Sequence, residues 1–256
     1  GGAIWSEADT SLFERCTFEK SSAGGNGGAF CIVAGAQPVF SQVQIVEGRA
    51  GNQGGAIAVF GTSRPRFSDV TVRNCQAVYG GGVYAGEQSR SIFHQCAFRD
   101  NRASSSTTSA DGGGAFFTEE ANGWFVRGIF HGNSATDDGG ALAAAGTARI
   151  DLRNTLLASN TATNTGGGAH FTSHSQGTFA NCTIVSNQAN PVNGGGGIYL
   201  DATNTVQVDS SILCQNDPDG IRPGTRPTVS YSCVQESWPG PEIGRASCRE
   251  RVYHPV

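Results

Sequence analysis

A Gly-Gly pair followed by small and apolar residues recurs eight times along the chain, with its first Gly at 1, 27, 54, 80, 113, 139, 167 and 195. The steps between copies are 26, 27, 26, 33, 26, 28 and 28 residues. Twelve or thirteen residues after each pair stands a second landmark: Phe13, Phe40, Phe67, Phe93, Phe125, Leu152, Phe179 and Val208. A unit this short cannot enclose a hydrophobic core of its own. It must stack on its neighbours, so the chain is expected to fold as a solenoid.

Local pattern decides which solenoid. Helical repeats need Ala, Leu, Glu and Lys at a period of 3.6. Here β-branched and aromatic residues alternate with others between Gly- and Asn-rich turns, the signature of short strands. Leucines at the fixed slots of a leucine-rich repeat are absent. A coil of a parallel β-helix fits: an all-β, single-stranded, right-handed solenoid of about eight coils of about 27 residues. At about 4.8 Å per coil this gives a rod roughly 38 Å long.

The strand period of two assigns sides. Slot four of each repeat reads Ile4, Phe30, Ile57, Val83, Phe116, Leu142, His170 and Ile198, and is expected inside with the slot two residues on. The slot between them is expected outside: Trp5, Cys31, Ala58, Tyr84, Phe117, Ala143, Phe171 and Tyr199. The Phe column points in, as does Phe18, Ile45, Val72, Phe98, Phe130, Leu157, Ile184 and Leu213. After it comes a column of Asn101, Asn133, Asn160, Asn187 and Asn216, broken in the first three coils by Ser21, Gly48 and Cys75. Stacked asparagines can hydrogen-bond along the column and to turn backbone. The Gly-Gly pairs suit turns where a Cβ would clash.

The combination of GGA[I/F/L] with F-x-x-N, complete at Phe98–Asn101 and Phe130–Asn133, resembles the repeats of chlamydial polymorphic outer-membrane proteins. It is also similar to bacterial extracellular right-handed parallel β-helix proteins of the pectin-lyase-like group. The resemblance covers about residues 1–240 and implies a secreted or surface protein. Residues 242–252, EIGRASCRERV, switch to Arg-rich text and look like the translation of a sequencing adapter. Residues 241–256 are therefore set apart as a non-native tail, with a basic tail as the alternative. The chain opens inside a repeat and is read as a fragment truncated at both ends, so a signal or anchor is not visible.

Composition excludes several functions. A net charge of −4 and a single lysine, Lys20, argue against nucleic acid as a partner. No run of about 18 apolar residues offers a membrane span. The eight cysteines include no CxxC, so zinc and redox readings lack support. Cys16, Cys96 and Cys182 share an inward slot three coils apart, about 14 Å, too far to bond. Cys214 and Cys233 are a possible pair.

Three candidate sites follow. Asp111, Asp137 and Asp138 precede the Gly-Gly turns of coils five and six. Paired carboxylates suit glycoside hydrolysis, and three together suit Ca²⁺, although polar residues fill these places in other coils and argue for a solvated turn. Glu119 and Glu120 are expected too far round the coil to join them. Tyr84, Phe117, Phe171 and Tyr199 are expected as outward aromatics in rows, able to stack on sugar rings or dock a partner. Arg73, Arg99 and His131 share an outward column that could meet an acidic glycan, while His170 is expected as a satisfied core histidine. No convergent acid–base set appears, and no cofactor is required. The expected function is therefore a non-enzymatic extracellular or cell-surface rod, acting as an adhesin-like passenger or glycan-binding scaffold. The partner would be a polysaccharide or cell surface. The alternative is a polysaccharide lyase or glycoside hydrolase of the same fold.

Overall fold

A computed structural model describes residues 1–105, 111–192, 194–224 and 227–235. Most of the polar stretch Ser104–Ala110, which holds the extra residues of the 33-residue step, and the whole tail 241–256 lie outside the described residues. Among the described residues all regular structure is strand, and every pairing is parallel between neighbouring coils. Three nine-stranded sheets run the length of the rod and a six-stranded sheet of two-residue strands covers part of it. The first sheet holds Ile4–Glu7, Phe30–Val33, Ile57–Val59, Val83–Ala85, Ala115–Phe117, Leu142–Ala144, Ala169–Phe171, Ile198–Leu200 and Ile221–Pro223. The last strand belongs to a ninth turn that continues after the eight repeats through Thr228–Ser230 and Cys233–Val234.

Each coil turns from the second sheet to the third on one residue with positive φ: Arg15, Gln42, Asp69, Gln95, Arg127, Asn154, Asn181, Ser210 and Tyr231. Such a conformation is unfavourable for side chains other than Gly, Asn and Asp. Hydrogen bonding between coils holds it, as where Arg15 N donates to Ser41 O at 3.0 Å and Gln42 N donates to Ser68 O at 3.0 Å.

Like residues stack on like inside. Successive rings of Phe40, Phe67, Phe93 and Phe125 lie 4.7 Å apart, and Phe98 stacks on Phe130 at 4.6 Å. The asparagine column forms a ladder. Asn101, Asn133, Asn160 and Asn187 each donate Nδ2 to the Oδ1 of the next, at 2.9–3.0 Å. Each Nδ2 also meets a carbonyl of the preceding coil, as Asn160 meets Phe130 O at 3.0 Å. Where the column breaks, Cys75 Sγ takes the acceptor role and receives Gly48 N at 3.3 Å.

The register corrects the repeat boundaries. Ala115, not Phe116, sits between Val83 and Leu142, and Ala169, not His170, between Leu142 and Ile198. Coils five and seven therefore begin at Gly112 and Gly166. Both have three consecutive glycines, and the pattern alone allows either alignment. Backbone geometry chooses: Gly112 (φ +64°) and Gly166 (φ +67°) match Gly27 (φ +67°) and Gly54 (φ +67°) in the left-handed region. The glycine after each is closed to a Cβ for another reason. At Gly28 and Gly55 a Cβ would lie 1.9 and 2.0 Å from the carbonyl oxygen of the next coil.

Cys96 and Cys182 are buried, their thiols donating to the carbonyls of Phe67 and Leu152. Cys214 is a free thiol. Cys233 pairs in register with Ile212, two residues away, so a Cys214–Cys233 bond does not form.

Candidate functional site

The outer face of the first sheet is the floor of a groove, and side-chain size along its outward column shapes it. The column runs Trp5, Cys31, Ala58, Tyr84, Phe116, Ala143, His170 and Tyr199. The small Cys31 forms part of the floor of a hollow. Trp5, 60% exposed, stands at one end. Phe60, its ring 5.5 Å from that of Tyr84, stands at the other. The hollow encloses about 700 Å³. One wall is the turn Ala23–Asn26, and the other is formed by Ala34, Gly61 and Glu87 from the turns that follow the strands.

A second concavity of about 420 Å³ continues along that wall, sharing Gly61 and Glu87 and adding Glu119 and Glu120. All three glutamates are exposed. Glu119 Oε2 accepts the backbone N–H of Glu87 at 2.7 Å, which fixes one carboxylate across two coils. No arginine or lysine lines either hollow. From Trp5 in coil one to Glu119 in coil five is four steps, about 19 Å along the axis.

The family model described as right handed beta helix region matches residues 1–109 and 103–231. The chain belongs to this family. Comparisons with curated proteins and with solved structures returned no match.

Elsewhere on this β-helix, two of the expected outward aromatics are in the core. Phe117 and Phe171 are fully buried, because the glycine triplets move each by one position and one position reverses the side of a strand. Their places on the outer face go to Phe116 and His170. Tyr84 is outward, as expected, but only 6% exposed: Phe116, Ala143 and Phe60 pack around it in a small apolar cluster. Tyr199 is half-buried, its ring stacked on His170 at 5.1 Å.

Asp111, Asp137 and Asp138 do come together, and their oxygens serve neighbouring coils. Asp111 Oδ2 accepts Asp137 N at 3.0 Å. Asp138 Oδ1 accepts both N and Oγ1 of Thr165, at 2.9 and 2.6 Å. Burial, reinforced by the charges of Asp137 and Asp138, raises Asp111 to about 7. Among the described residues no group of three or more His, Cys, Asp or Glu is placed to hold a metal ion.

Thr165 Oγ1 also lies 2.7 Å from His170 Nδ1. Because that hydroxyl donates to Asp138, it is left to accept from His170 Nδ1–H, which sets the neutral tautomer. Burial lowers the His170 pKa, against the opposing charges of Asp138 and Asp201. The imidazole is thus outward but covered, a structural link between coils six and seven. Asp201 closes the next turn. Burial alone would raise it, but hydrogen bonds from Thr172, Thr203 and Ser173 bring it down to about 2.

Arg73, Arg99 and His131 share the outward column expected of them on the third sheet. The groove residues Trp5, Phe60 and Glu87 were not singled out by sequence reasoning. The signal was present in the outward column, where Cys31 and Ala58 sit between large aromatics.

Proposed function

We propose that this β-helix is a non-enzymatic scaffold, working outside the cell, that binds an extended carbohydrate chain along the groove of its first sheet. The observation that carries the reading is the shape of the groove. It is long, open and parallel to the rod, with an exposed Trp5 at one end and three carboxylates, one of them fixed, further along. An aromatic face suits the apolar side of a sugar ring, and carboxylates accept hydrogen bonds from its hydroxyls. A strictly repeated backbone holds both in place. The resemblance of the repeat motifs to those of bacterial surface proteins favours an extracellular site and an adhesin-like role.

Cleavage is less well supported. Glycoside hydrolysis needs two carboxylates flanking one bond. Glu87, Glu119 and Glu120 rise from successive turns of one wall, and the facing wall, Ala23–Asn26, offers no acid. The three aspartates are engaged with neighbouring backbone and side chains.

The test is isothermal titration of the folded protein with soluble oligosaccharides, beside Trp5→Ala. Trp5 makes no core contact, so the variant is expected to fold normally and to lose about tenfold in affinity, the worth of one stacked ring. Unchanged affinity, or no oligosaccharide bound by the parent protein, would overturn the reading. Release of shorter products would replace it with the enzymatic one.

A further inference from the structure

Resting on the groove reading, we infer the charge class of its ligand: a polysaccharide with free amino groups is preferred, a neutral one is accepted, and a polyuronate is rejected. The two hollows share Gly61 and Glu87; the second adds Glu119 and Glu120, all three glutamates exposed and with no basic residue in its lining, while the first also holds the α-amino group of Gly1 beside Cys31. A concave site lined by one sign of charge concentrates ligands of the opposite sign and repels its own. The polarity of the wall is also built in. Glu119 is tied to the Glu87 amide at 2.7 Å, so its charge cannot swing away when a like charge approaches.

Arg73 and Arg99 are on the third sheet, where they could not offset a uronate held against the first. Apart from the α-amino group of Gly1, the remaining wall and floor, such as Ala23, Gly25, Cys31 and Ala34, are small and uncharged. They set no limit on a neutral pyranose chain.

The experiment is calorimetric titration with three probes of matched length: chitosan oligosaccharide, cello-oligosaccharide and oligogalacturonate. It is run at low and at physiological salt, on the parent protein and on Glu87→Gln/Glu119→Gln/Glu120→Gln. Glutamine keeps the Oε1 acceptor, so the bond to the Glu87 amide survives and the fold is retained; circular dichroism checks this. The expected order for the parent is amino, then neutral, then uronate, with only the amino sugar losing affinity as salt rises. The triple variant is expected to lose about tenfold for the amino sugar, from three exposed charge pairs, and to keep its neutral-sugar affinity. If oligogalacturonate binds as well as the amino sugar, or the triple variant keeps the preference, the charge inference fails and the groove reading stands. If no probe binds, the groove reading itself fails.

Discussion

Asp111 has its carboxyl raised from 3.8 to about 7, first by burial and then by Asp137 and Asp138. Between these values the folded chain keeps a proton that the unfolded chain releases. Its contribution to stability is therefore fully present below about pH 4 and is lost as pH rises to about 7. Asn is nearly isosteric, cannot ionise, and still accepts the Asp137 amide. Asp111→Asn is expected to raise the melting temperature relative to the parent at pH 8 and to make little difference at pH 4. An equal shift at both pH values would show that the charge is not what strains this site. His170 runs the other way: its lowered pKa favours the neutral ring, so its share of stability is present above about 6.5 and declines below. Neither behaviour is visible in the sequence, where Asp111 is one acid before a glycine and His170 one residue in a strand. The corner residues were hidden too. Arg15, Gln42 and Gln95 are ordinary residues held in a left-handed conformation by the coil beside them, which local propensity does not report.

Within a coil, two inward positions share one volume. Phe117 faces Gly123, and Phe171 faces Gly177: a Cβ on either glycine would lie 2.7 or 2.5 Å from the opposing ring. Coil six reverses the sizes, with Ala144 across from Ile150, and coil eight balances them with Leu200 and Val206. Gly123→Ala is therefore expected to cost about 2 kcal/mol through overpacking. In a Phe117→Leu background the same change should cost much less. Chemical denaturation of the four proteins in a double-mutant cycle measures the coupling, expected at about 1 kcal/mol. Strict additivity would mean that the ring and the glycine do not compete for space. This pairing also explains how much of the architecture could be read beforehand. Columns of Phe and Asn recur at fixed spacing, so the sheets and the ladder were legible. The glycine triplets Gly112–Gly114 and Gly166–Gly168 were ambiguous by one residue. That slip sent Phe117 and Phe171 outward on paper and concealed that Phe116 and His170 take their places on the outer side of the sheet.

Over the whole rod, contacts run between adjacent coils, so stability is close to a sum of coil and interface contributions. Coils four to seven have neighbours on both sides and the continuous Asn ladder, and coils four and five add stacked phenylalanines. In coil one the core rings Phe13 and Phe18 are only half-buried. Native-state hydrogen exchange is expected to follow this gradient, with amides of Asn133 and Asn160 the slowest and those of residues 12–19 fast. Uniform protection along the axis would show instead that the rod opens as one unit. The glycine column has a last consequence, at the level of the gene. A carbonyl oxygen of the following coil occupies the space where the side chain of Gly28, Gly55 or Gly113 would begin. Alanine, the mildest replacement chemistry offers, is already too large. Glycine codons tolerate change only at their third base, so nearly every other point mutation along this column drives a carbon atom against a carbonyl oxygen of the next coil. The length of the rod is thus also the length of its mutational target.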